Sequence, residues 1–182
     1  MSVGHRQPAA PTDTVPARRP FGDEGTVLLT RDTEGVVRRA SRWLGTPYSW
    51  GGGTPYGPSA GFCDGTNGYG PSGECAASVT PGFDCSSLMR YAYWPFIRLP
   101  RVSASQYAVT SEYTVGRAAL REGDLVFWHN GTRIYHVGLY CGDDEVIHAP
   151  RTGKPIARVP LDEAMPRKDY YGATRLLNLS AR

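Results

Sequence analysis

The sequence predicts an α+β fold, with helices in the N-terminal half packed on an antiparallel sheet in the C-terminal half. Helical periodicity is confined to the first part of the chain, around residues 36–44 and 85–94, with a Gly/Pro-rich stretch between. Beyond residue 124 the runs turn β-rich, and the first two are joined by Asn130-Gly131, a strong short-range hairpin signal. Helices first and strands afterwards argue for segregated layers on one sheet.

The elements follow in chain order. "MSVGHRQPAAPTDTVPARRP" is proline-rich and lacks the apolar stretch of a signal peptide, so residues 1–25 read as a disordered leader and 26–182 as one domain. A first helix starts after Thr30 or Asp32 as cap, places Val36, Val37, Ala40, Trp43 and Leu44 at helical spacing, and closes at Gly45. Residues 46–82 are crowded with glycine and proline and must be turn and loop. "CSSLMRYAYW" gives a second helix beginning at or near Cys85, with Leu88, Met89 and Ala92 on one side and Pro95 as the stop. A short helix is expected around "SASQYA", and "YYGATRLLNL" is a further strand.

At 182 residues the chain is one domain, large enough to bury roughly 70% of its unfolded surface. The formal charge of +3 is scattered and forms no basic run, which argues against a nucleic-acid partner. No apolar stretch approaches the ~18 residues of a membrane span.

Four cysteines carry the functional question. Cys63 and Cys75 lie in the Gly-rich loop, where a local disulfide, worth about 3 kcal/mol through loop closure, is the leading reading and favours an oxidising compartment. Zinc fits poorly because the spacing matches no finger or ribbon, and "DGTNGYG" lacks the later acidic ligands of a calcium loop. Cys141 ends a strand out of phase with His136 and reads as a buried, inert thiol. Cys85 follows Asp84 at a helix entry, beside backbone N–H groups without intrahelical partners, where a thiolate is stabilised. An unperturbed thiol is only ~3% ionised at pH 7, and a helix terminus contributes less than ~1 kcal/mol, so a nearby imidazolium is expected as second contributor.

His5 falls in the leader, and His129, just before the Asn-Gly turn, is expected in water at the hairpin tip. His136 in "IYHVGLY" and His148 in "EVIHAP" are mid-strand, and either alone reads as a core or edge residue. Together they make a testable pair, because a three-residue loop Gly142-Asp143-Asp144 sets them diagonally on one face. A cysteine, a histidine and a second polar group that orients it form the recurrent thiol-hydrolase arrangement.

With "WLGTPYSWGG", "FDCSSLMRYAY", "LPRVSASQY", "REGDLVFW", "YHVGLYCGDDEVIHAP" and "YYGATRLL" in order, the chain resembles the NlpC superfamily of papain-like cell-wall peptidases over most of residues 36–177. The resemblance implies a papain-like fold, with Cys85 as nucleophile, His136 as general base, and His148 orienting the imidazole. It implies that the Tyr48 hydroxyl lies near the thiol and substrate, with a packing tyrosine as the alternative, and that Asp84, Ser86 and Ser87 flank the nucleophile as substrate contacts, Asp84 alternatively as a helix cap and the serines as structural residues. The implied activity is hydrolysis of peptidoglycan stem peptides, often between D-glutamate and the adjoining diamino acid, with no metal or cofactor required. A monomer is expected, secreted or wall-associated, with a cytoplasmic location left open. An amidase, transpeptidase or tailoring enzyme on another peptide, or a binding module of the same fold, are the alternatives. Tyr48 and Cys85 stand 37 positions apart, well beyond the family's usual gap, so residues from about 54 to 81 read as an insertion beside the cleft that bears on substrate choice.

Overall fold

The computed structural model describes residues 33–176, so the expected leader lies outside the described residues. Helix α1 spans Thr33–Ser41, α2 Cys85–Tyr93 and α3 Ser103–Thr110. The strands are β1 Thr114–Val115, β2 Leu125–His129, β3 Ile134–Tyr140, β4 Glu145–His148, β5 Ala157–Pro160 and β6 Tyr170–Thr174, with a one-turn helix α4 at Leu161–Ala164 before the last. They form one antiparallel sheet in the order β1-β6-β2-β3-β4-β5.

Alternation along the strands builds two apolar layers. Leu125, Phe127, Val137, Leu139 and Ile147 face Val36 and Ala40 of α1 and Leu88, Met89 and Ala92 of α2. Val126, Trp128, Val146 and Ala173 point the other way and meet Leu161 and Ala164 of α4. Both sheet faces are therefore covered, which explains the nearly continuous apolar run in β2.

Turn chemistry sets the registers. Asn130 Oδ1 accepts from the Thr132 and Arg133 N–H groups at 3.0 Å each, and Gly131 takes φ +90°, so the β2–β3 loop spans residues 130–133 with a register shift between Trp128 and His129. Between β3 and β4, Gly142, Asp143 and Asp144 all adopt positive φ, a conformation that Gly and Asp tolerate. Cys141 N–H donates to Glu145 O at 3.0 Å, closing the three-residue loop that the parity of the two histidines requires. One apolar expectation fails: α1 stops at Ser41, and Leu44, in the turn that follows, is 43% exposed rather than buried.

An ion pair ties the last strand to the start of β2. Arg175 Nε and Nη2 donate to the two oxygens of Asp124 at 2.8 Å each, and Asp124 is fully buried. Removing the cation strands a buried carboxylate, so Arg175→Met is expected to cost about 3 kcal/mol, read as a lower midpoint in urea unfolding with an unchanged slope.

Candidate active site

The site grows from the start of α2. Asp84 has extended backbone dihedrals and caps the helix, its Oδ1 accepting from Ser87 N–H at 2.9 Å while Ser87 Oγ accepts from Asp84 N–H at 3.0 Å. This reciprocal cap makes Cys85 the first helical residue. The same carboxylate receives Arg101 as a fork, Nη1 at 2.9 Å and Nη2 at 2.7 Å, and Gly51 N–H at 3.1 Å. Arg101 Nη2 also donates to Gly52 O at 3.1 Å, so the glycine loop, the helix start and residue 101 are knotted around the thiol.

The two histidines meet across β3 and β4. His136 Nε2 and His148 Nδ1 lie 2.8 Å apart, and both rings are buried. Trp128 packs beside the His136 ring at 5.3 Å between centroids, which fixes its plane. Nε2 is engaged with His148, so Nδ1 is the ring nitrogen left to accept a proton. That role requires the hydrogen on Nε2 and an unprotonated Nδ1 on His148.

Both imidazoles are held neutral. Burial and then His148 lower the His136 pKa well below its ordinary value, and burial and then Arg151 bring His148 down to about 4. The Cys85 thiol is pushed up to about 12, by burial first and the Asp84 charge second, against the opposing pull of the Val137 and Ser86 N–H groups and Arg101. Burial therefore works against both the resting thiolate and the resting imidazolium expected from the sequence, because the site is drier than an exposed helix terminus. Tyr48, buried against Phe83, has its phenol raised by the same desolvation and by Cys85, and stays a hydrogen-bond donor.

Cys85 opens onto a cleft with two arms. The first, about 280 Å³, is walled by Trp50, Phe62, Asp64, Arg101 and Tyr135. The second, about 450 Å³, contains His136 and is walled by Asn67, Tyr69, Arg151 and Met165. Tyr48, Trp50, Cys85 and Tyr135 line both, so the thiol and His136 share one cavity.

Residues 62–69 of the long loop form one side of both arms, placing the expected insertion beside the thiol. Cys63 and Cys75 are joined, Cα atoms 5.9 Å apart, which resolves the open readings in favour of the disulfide. Asp64 caps its own turn by accepting from the Thr66 and Asn67 N–H groups at 2.9 and 2.6 Å.

The remaining expectations sort by contact. Asp84 is committed to the cap and to Arg101, Ser86 lines the first arm, and Ser87 is buried as the cap's return partner away from both arms. Cys141 packs in the helix-side core and donates to Glu145 O at 3.3 Å. His129 sits at the end of β2, accepts from Gly131 N–H and stacks on Tyr171. Sequence reading missed Arg101, Trp50, Asp64, Tyr135 and Arg151. None carries a signal in the string alone; Arg101 is explained only once the burial of Asp84 is seen, since a buried carboxylate requires a cation.

The NlpC/P60 family model matches residues 45–175. Peptidoglycan endopeptidase RipA of Mycobacterium tuberculosis is 34% identical over 160 residues, 85% of this chain and 30% of the relative. Murein DD-endopeptidase MepH of Escherichia coli is 32% identical over 161 residues, 86% of this chain and 51% of the relative. The chain therefore spans about half or less of the length of these curated relatives. The solved structure of the peptidoglycan hydrolase RipB from Mycobacterium tuberculosis superposes with a TM-score of 0.63 at 33% identity, covering 80% of this chain and 65% of that one. The expected family and the α+β fold are both found.

Two outcomes follow for stability. As pH falls from about 6.5 toward about 4, the unfolded chain takes up a proton at position 148 that the folded chain refuses. Stability therefore drops across that window, by up to about 3 kcal/mol, and His148→Asn flattens the slope of urea midpoint against pH. Replacing Cys63 and Cys75 together by Ser removes about 3 kcal/mol of loop-closure stabilisation, a fall of roughly 6–12 °C in Tm.

Proposed function

The chain belongs to the NlpC/P60 family, and on that premise we propose that it is a cysteine hydrolase of peptidoglycan stem peptides, cutting between D-glutamate and the adjoining diamino acid. The observation that carries this reading is the cavity shared by Cys85 at a helix start and His136 backed by His148 at 2.8 Å. The names of the relatives, peptidoglycan and murein endopeptidases, support the substrate class.

In this reading substrate binding brings an amide carbonyl against the thiol, and Cys85 gives its proton to His136 Nδ1 as the sulfur attacks. The imidazolium that forms is stabilised through Nε2–H donating to His148 Nδ1, and the ring is held in plane by Trp128. N–H groups at the start of α2 and the Tyr48 hydroxyl supply donors for the oxyanion. Collapse expels the amine, which takes its proton from His136, and leaves a thioester on Cys85. Water, deprotonated by His136, releases the acid and restores the thiol. The Cys63–Cys75 disulfide supports a site of action in an oxidising compartment, on the wall side of the membrane.

Mass spectrometry of muropeptides incubated with the protein is the direct test. Wild type produces the two halves of a stem peptide split at one amide, Cys85→Ala and His136→Ala lower the rate by about 10³-fold or more, and Cys141→Ala stays within about twofold of wild type. Equal losses from Cys85→Ala and Cys141→Ala remove the reason for choosing Cys85.

A further inference from the structure

The two arms of the cleft differ in charge. The first is lined by the carboxylates of Asp64 and Asp84 and by the guanidinium of Arg101, which Asp84 already occupies. Among the residues lining the second there is no carboxylate, and Arg151 is its one formally charged side chain. Arg101, Arg117, Arg158, Arg167 and Arg175 each meet a carboxylate, whereas none among the described residues pairs with Arg151.

Arg151 is also held in place. Lys154 N–H donates to Arg151 O at 3.1 Å, closing a turn just beyond β4, and Tyr48 N–H donates to Lys154 O at 3.0 Å. Pro155 bridges to Pro47, so the turn is pinned to the segment carrying Tyr48. The backbone that carries the unpaired Arg151 side chain is thus fixed beside the arm that contains His136.

Direction follows from the chemistry proposed above, on which this inference rests. His136 hands a proton to the departing amine, and His136 lines only the second arm of the two, so the amine half of the substrate leaves along that arm. We propose that Arg151 is a specificity residue that binds a carboxylate on the amine half of the substrate, next to the bond that is cut.

The test compares two γ-D-glutamyl-diaminopimelate peptides, one with the diaminopimelate α-carboxylate next to the scissile nitrogen free and one with that group as a carboxamide, the glutamyl α-carboxylate being free in both. Wild type is expected to favour the free carboxylate by about tenfold in kcat/KM, chiefly through KM, with the ratio shrinking as NaCl is raised because the guanidinium is exposed. Arg151→Gln brings the ratio to about one, Arg151→Lys keeps part of it, and Arg151→Glu inverts it. A wild-type ratio near one, or a ratio unchanged in Arg151→Gln, overturns the proposal. Calorimetric titration of Cys85→Ala, with and without Arg151→Gln, reads the same preference without turnover. Tighter, Arg151-dependent binding of the carboxylate peptide with no hydrolysis by wild type would sink the hydrolase reading and leave the Arg151 site standing, and equal binding of the two peptides would sink the site.

Discussion

One carboxylate holds the site together. Asp84 caps α2, receives both arms of the Arg101 fork and takes Gly51 N–H, so three segments distant in sequence converge on Cys85. A buried carboxylate is costly without such partners, and removing Arg101 would leave it uncompensated. The arrangement also has a chemical consequence. Asp84 sits close enough to raise the thiol's pKa, so the group that positions the sulfur also discourages its ionisation. The Val137 and Ser86 N–H groups and Arg101 offset part of that, and in the proposed mechanism the imidazole takes the proton when a carbonyl arrives. A lone ion is expensive in a buried pocket, which is the physical cause of these shifts.

Much of this was legible in the residues. Helix positions followed from the spacing of Val36, Val37 and Ala40 and of Leu88, Met89 and Ala92, because burial against one sheet face selects that period. The diagonal contact of His136 and His148 followed from parity alone, since the loop Gly142-Asp143-Asp144 leaves one register that keeps both on one face. The short strands β1 and β5 carried no signal: one has two residues, and the other alternates around Arg158 at an edge. Helix position is visible in sequence and desolvation is not, so the opposition of burial to a charged thiol is not legible there. Arg101 and Arg151 read alike as strings, and only their partners separate them.

The long loop shows how a glycine-rich segment becomes part of a site. Its glycines allow positive φ at 57, 65, 68 and 73, and at Gly68 a side chain would strike Phe62 O. Ser49 Oγ links the loop to the body, donating to Ala77 O at 3.1 Å and accepting from Gly61 N–H at 3.1 Å. With the disulfide, these contacts turn a segment of glycine and small polar residues into a fixed wall. Phe62, Asp64 and Tyr69 can then shape both arms of the cleft.

The central claim, that the sulfur at the Asp84 knot forms the covalent bond with substrate, is tested most directly by acid-quenching the protein during turnover of a γ-D-glutamyl peptide and mapping the adduct by mass spectrometry. The account predicts a thioester of the acyl half on the peptide containing Cys85, present within the first turnover and lost as hydrolysis completes. An adduct on Cys141 or on a hydroxyl, or full hydrolysis by Cys85→Ala, would contradict it.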